Sequence, residues 1–168
     1  MHKAAVLAAL AAALILGSLK PAGAQSHGKL TGDDYIEIQQ LYARYNNAID
    51  SGDAEAYAAT FVPDGVFNTF NGHDALVGFI HRWHDSMGGA NLRHWNTNLT
   101  ITPTPDGAGG SVYLLLVNVG VRPPTIQAAA KYEDQIVKTP DGWRFKKRVT
   151  KNEGPPPSAA AAPTPEKK

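Results

Sequence analysis

The sequence predicts an α+β fold in which three N-terminal helices pack on one face of a curved antiparallel sheet. Two observations carry this expectation. Apolar residues recur at three- and four-residue spacing through the first half of the chain, and everything after Gly88-Gly89 reads as strand. The resulting order is helix, helix, short strand, helix, then three or four long strands. It gathers the helices on one side and leaves a cone whose open end can hold a ligand.

The first helix starts at Thr31, a good N-cap, with Asp33 and Asp34 in the first turn where the helix dipole favours anions. Tyr35, Ile38, Leu41, Tyr42, Tyr45, Ala48 and Ile49 then form one buried face, and Ser51-Gly52 stops the helix. Asp53 caps a second, short helix running through Phe61 and burying Tyr57 and Phe61. Pro63-Asp64-Gly65 is a turn, and residues 66–70 form a short strand. After the Asn71-Gly72 turn, Asp74 caps a third helix with Leu76, Phe79, Ile80, Trp83 and Met87 as its apolar stripe. Gly88-Gly89 ends it.

Long strands are expected over residues 92–102, 110–121, 128–138 and 143–150. Residues 103–109 read as a polar loop between the first two, and Arg122-Pro123-Pro124 ends the second. Thr139-Pro140-Asp141-Gly142 joins the last two as a tight hairpin.

The ends of the chain have a different character. Residues 1–24 have the pattern of a signal peptide: Lys3, an apolar run from Ala4 to Leu16, and the small-residue exit Ala22-Gly23-Ala24. Cleavage there leaves Gln25 as the first residue, residues 25–29 as a linker, and a periplasmic or secreted protein with no stable membrane span. The apolar run is shorter than the ~20 residues of a membrane helix. Residues 153–168, rich in Pro and Ala, offer nothing apolar to bury and read as a stiff, disordered tail. Between the two ends, residues 30–152 make one domain with one core.

The 168 residues carry a formal net charge of +1 and contain no cysteine. Disulfides, thiolate nucleophiles and Cys-ligated zinc are therefore excluded. Lys146, Lys147, Arg148 and Lys151 cluster in the last strand, but alternation sends them to both faces, so no nucleic-acid stripe forms. His81 and His84 sit three apart on the third helix with Asp85 beside them, but no third ligand is obvious and no metal is expected. No phosphate loop, dinucleotide fingerprint or nucleophile elbow is present, and no cofactor is expected.

Chemistry is suggested by a small set of polar residues in apolar surroundings. Asp50 lies at the end of the first helix, where the dipole disfavours a carboxylate that has no compensating partner. His94 is an imidazole on the first long strand, and an acid brought to an imidazole can move a proton. Tyr45 has two readings: a hydroxyl that assists a leaving group, or a core residue with a polar tip. Asn118 interrupts the run Val112-Tyr113-Leu114-Leu115-Leu116-Val117, either to orient a ligand or to bond neighbouring backbone. Alternation places His94, Asn96 and Asn98 on one strand face and Trp95, Leu99 and Ile101 on the other. Asn118, Asn96 and Trp95 are the candidate substrate contacts.

Several stretches together resemble the SnoaL-like branch of the NTF2-like (cystatin-like cone) superfamily. They are Tyr42-Ala43-Arg44-Tyr45 through Asp50-Ser51-Gly52-Asp53, then Phe61-Val62-Pro63-Asp64-Gly65-Val66-Phe67 and Arg93-His94-Trp95-Asn96-Thr97-Asn98. Tyr132-Glu133-Asp134 and Asp141-Gly142-Trp143-Arg144-Phe145 complete the set. Catalytic members of that branch include scytalone dehydratase, bile-acid 7-alpha-dehydratase and hexachlorocyclohexane dehydrochlorinase. The resemblance implies an Asp50–His94 pair at the pocket wall, with Tyr45 where the bile-acid enzyme has a catalytic tyrosine. The chain departs from the pattern at Asn118, an amide near that enzyme's further acid. It departs again at Val121-Arg122, where scytalone dehydratase has a second histidine, and near Thr69, where that enzyme has a tyrosine.

The expected activity is thus that of an exported, cofactor-independent lyase (a dehydratase or related elimination) or an isomerase, acting on a small cyclic organic substrate through Asp50 and His94. The competing expectation is a non-catalytic exported module of the same fold that binds a small apolar ligand or dimerises. The open sheet, through Leu115, Val117 and Val119, is expected to pair the chain into a homodimer or homotrimer.

Overall fold

A computed structural model of the protein describes residues 29–87 and 91–154. The expected signal peptide, most of the linker, nearly all of the tail and the Gly88-Gly89 stop lie outside these described residues.

Helix α1 (Gly32–Ser51) begins with a full capping box: the Thr31 side chain accepts from the Asp34 N–H, and the Asp34 carboxylate accepts from the Thr31 N–H. It ends at Gly52, whose φ of 74° is left-handed. Helix α2 (Ala54–Ala58), capped by Asp53, is shorter than the sequence suggests. Phe61 opens strand β1 (Phe61–Phe67), which takes in the expected Pro63-Asp64-Gly65 turn and pairs with the two-residue β2 (Phe70–Asn71). Helix α3 (His73–Ser86) follows. Its N-cap is Gly72 rather than Asp74, which sits in the first turn instead.

Four long strands complete the chain: β3 (Leu92–Thr104), β4 (Gly107–Asn118), β5 (Thr125–Thr139) and β6 (Gly142–Asn152). The expected loop over 103–109 is instead a tight hairpin, because Thr104 pairs with Gly107 across two residues. Thr139 pairs with Gly142 across the expected Pro140-Asp141 turn. The sheet order is β2-β1-β6-β5-β4-β3, antiparallel except for the β1–β6 pair, so β3 is a free edge. The helices cover one face of this curved sheet, and Ile38, Leu41, Tyr45, Leu76, Ile80 and Phe145 form the core between the layers.

Two bulges change which residues face that core. In β3 the register shifts between Thr97 and Thr100, with Asn98 at φ 56°. Leu99 and Ile101 therefore pack toward the core on the same side as His94, contrary to simple alternation. In β6 the pairing jumps from Ile136↔Phe145 to Gln135↔Lys147, leaving Lys146 as the extra residue. Arg148 then faces inward with Phe145 and is wholly buried.

A buried charge of this kind requires a partner. Arg148 donates through Nε to Asp134 at 2.7 Å and through Nη2 at 2.8 Å. The Tyr42 hydroxyl donates to the same carboxylate and packs over Gly110, where no side chain would fit beside it. The guanidinium carbon lies 4.0 Å from the Phe145 ring centroid and 4.2 Å from those of Tyr45 and Tyr132.

Candidate active site

Asp50 is placed one residue before the end of α1, at the negative end of the helix dipole. Gly52 shapes this terminus twice over. It takes the left-handed turn, and a side chain there would come within 2.7 Å of the His84 ring, which packs flat against it. The His84 Nε2–H donates to Ile49 O at 3.2 Å, satisfying one of the last carbonyls of α1.

The Asp50 carboxylate reaches the free edge of β3. It accepts the main-chain N–H of His94 at 3.1 and 3.2 Å and the imidazole Nδ1 at 2.6 Å. The His94 side chain is 4% exposed and that of Asp50 14%, so the contact is largely shielded from water. With Nδ1–H donating to Asp50, the lone pair of the neutral ring lies on Nε2, for which no protein partner exists among the described residues.

The His94 ring lines the interior of the cone, a cavity of 320 Å³. Its walls are mainly apolar: Ile49 from α1, Phe79 and Trp83 from α3, and Leu114 and Leu116 from β4. Ala128 and Ala130 on β5 pair with Leu116 and Leu114, and their small side chains leave the space open. Asn68, Tyr132, Thr150 and Asn152 supply the polar groups. Trp83 lies 6.0 Å from the imidazole, ring centroid to ring centroid. A second cavity, of 390 Å³, meets the first at Ile49, Trp83 and His94 and is lined also by Asp50, His84, Asn91 and Arg93.

The structure thus brings Asp50 and His94 together, and none of the other sequence candidates lines the 320 Å³ cavity. Tyr45 is wholly buried behind the cavity wall, its hydroxyl 3.2 Å from that of Tyr57, and burial pushes its pKa up. It belongs to the aromatic shell around Arg148. Asn118 ends β4, and its Oδ1 accepts the Gly120 N–H at 2.9 Å, which is turn chemistry away from the cavity. Trp95 points to the opposite sheet face and is 51% exposed, because it neighbours His94 on a regular stretch of strand. Asn96 shares the His94 side and lines, together with His94, Trp95, Tyr42 and Asn46, a further groove between α1 and β3.

Sequence reasoning missed Trp83 and Tyr132 as cavity residues, since both carry the apolar periodicity of core positions. His84 is exposed, as expected of a solvated helix face, and its ring lies against Gly52. Among the described residues no group of three His, Asp or Glu side chains is arranged to hold a metal.

The SnoaL-like domain family matches residues 31–149. The chain is 30% identical over 122 residues to an uncharacterised protein of Mycobacterium tuberculosis, covering 69% of this chain and 83% of the relative. Among solved structures it is similar to an NTF2-like protein with a cystatin-like fold from Novosphingobium aromaticivorans. That match has 26% identity and a TM-score of 0.68, and covers 76% of this chain and 86% of the other. It is also similar to a Catenulispora acidiphila protein solved in complex with S-DNPA, at 28% identity and TM-score 0.66, covering 73% and 96% of the two chains.

Proposed function

Because the chain belongs to the SnoaL-like domain family, we propose that it is an exported, cofactor-independent lyase or isomerase that acts on a small cyclic organic molecule held in the cone. The observation that carries this reading is the 2.6 Å contact between Asp50 and the His94 Nδ1, with the other ring nitrogen left for a ligand in a mainly apolar cavity. A module that only binds apolar ligands has no use for this buried pair. The similar Catenulispora acidiphila protein was solved in complex with S-DNPA, which supports a ligand-binding reading.

The chemistry follows from the pair. The Nε2 lone pair of His94 takes a proton from a substrate carbon, breaking the C–H bond and forming N–H. Asp50 offsets the positive charge that the imidazole gains and holds the ring in one tautomer. In an elimination, the C–H electron pair becomes a C=C bond as hydroxide or halide leaves the neighbouring carbon, and a departing hydroxyl takes the proton from Nε2 to become water. In an isomerisation, the same proton returns to another atom of the substrate. The apolar walls exclude water, which strengthens each electrostatic contact inside.

The test is an elimination and isomerisation screen over hydroxylated and halogenated cyclic compounds, with products followed by mass and absorbance. Turnover by the native protein that disappears in His94→Ala supports the reading. Tight binding of cyclic compounds with no turnover anywhere in the panel replaces it with the non-catalytic module. Export is checked separately by intact mass, with Gln25 as the expected first residue.

A further inference from the structure

Arg93 is the one cation at the second cavity whose partner is only backbone. Its Nη1 donates to Leu92 O at 2.7 Å, and no carboxylate pairs with it among the described residues. Lys138, Lys146, Lys151 and Arg148 pair with Asp34, Asp64, Glu133 and Asp134. Arg144 has a backbone tether like that of Arg93, to Trp143 O at 2.9 Å, but lines neither cavity beside the imidazole. Arg93 is half-buried and lines the 390 Å³ cavity that adjoins the imidazole.

The free edge of β3 fixes where the guanidinium sits. Arg93 is tethered to the carbonyl of Leu92, and Asp50 to the N–H of His94, two main-chain groups two residues apart on that edge. The cation lines the same cavity as the dyad. Asp50 lines the same cavity with a charge of the opposite sign, but both its oxygens accept from His94. The four remaining guanidinium N–H groups have no protein acceptor among the described residues, and a guanidinium presents such donors in a planar fork that matches a carboxylate. Asn91 lines the same cavity with an amide.

We propose that the ligand is an anion: a ring system seated among Phe79, Trp83 and Leu116, carrying a carboxylate that extends past His94 into the second cavity and pairs with Arg93. This rests on the small-molecule reading of the cone and adds the charge of the ligand to it. The division of labour is physical. The apolar chamber contributes burial without orientation, and the Arg93 contact sets which end of the ring system faces Nε2.

The test is calorimetric titration of the protein with 2-naphthoate and with 2-naphthamide, a neutral molecule of nearly the same shape, repeated with Arg93→Gln and Arg93→Lys. The acid is expected to bind about tenfold or more tightly than the amide. In Arg93→Gln the two affinities converge while the amide affinity stays where it was, and Arg93→Lys restores part of the preference. Equal affinities in the native protein overturn the anionic ligand and leave the cavity reading intact. An undiminished acid preference in Arg93→Gln overturns the role of Arg93. Binding of neither compound by the native protein overturns both this inference and the small-molecule reading beneath it. The acid-to-amide ratio of the native protein decides the charge question even if a variant fails to fold.

Discussion

Asp50 grips His94 at two points, the main-chain N–H at 3.1 Å and the ring Nδ1 at 2.6 Å, so one carboxylate fixes both the strand edge and the imidazole that grows from it. The position and the tautomer of the ring therefore depend on a single side chain at a helix terminus. This has a consequence for mutagenesis. Asp50→Asn keeps an acceptor oxygen for the N–H but cannot offset an imidazolium. We expect turnover on a substrate found in the screen to fall by about 100- to 10,000-fold, as loss of general acid–base assistance does. Circular dichroism should show an unchanged fold. Near-native turnover by the variant would remove Asp50 from the chemistry.

Tyr45→Phe separates the sequence expectation from the structure. The hydroxyl lies in the aromatic shell with Tyr57, not on the cavity wall. Its loss should lower stability by roughly 1 kcal/mol, the usual worth of one internal hydrogen bond. Turnover should stay within about twofold of native, since a shift of that size is only a few tenths of a kcal/mol in the barrier. A large drop in turnover with an unchanged melting temperature would return Tyr45 to the catalytic set.

Asp134→Asn tests the buried ion pair. Arg148 and Asp134 both have fully buried side chains, and removing one charge strands the other without water. The expected cost is about 3–5 kcal/mol, read by denaturant unfolding. A loss under 1 kcal/mol, well below that estimate, would show that the surrounding rings alone hold the guanidinium.

The dependence of stability on acid follows from Asp34. The ammonium of Lys138 bonded to it holds its carboxyl well below the usual carboxylate range, helped by the Thr31 N–H and opposed by burial. A depressed folded-state pKa contributes stability that is present above the unfolded carboxylate pKa and lost as pH falls through the folded value. Asp34→Asn should therefore be less stable than the native chain at neutral pH, by roughly 1–3 kcal/mol for lost charge-assisted bonds. The gap should narrow as pH drops below the ordinary range of carboxylates. Thermal melts at a series of pH values check this, and a gap independent of pH contradicts it.

Self-association through the outer sheet remains our proposal, with Leu115 paired to Trp95 there and one of the residues first expected, Val117, set aside. Val117 is buried, whereas Trp95, Tyr113 and Ile126 are exposed on the outer face at 51%, 39% and 63%. Light scattering should show a dimer or trimer that Trp95→Lys weakens. A monomer at high concentration in the native protein would sink it.

The order of elements, the capped first helix and the closing hairpin were legible in the chain itself, because helical spacing, Thr31 with Asp34 and Thr139-Pro140-Asp141-Gly142 are local signals that act over a few residues. Asp50 and His94 were legible as a candidate pair through the family resemblance, with which a carboxylate at a helix terminus agrees. Their contact and geometry required the fold, which lays the edge of β3 along the end of α1. The burial of Arg148 and the inward turn of Leu99 were not legible. Each depends on one extra residue in a strand, and a bulge that inverts every face beyond it leaves no mark in composition or periodicity. The fate of Tyr45 and Arg93 was likewise decided by the tertiary structure. A buried aromatic and a cavity aromatic obey the same apolar spacing, and whether a cation is matched depends on which residues the fold sets beside it.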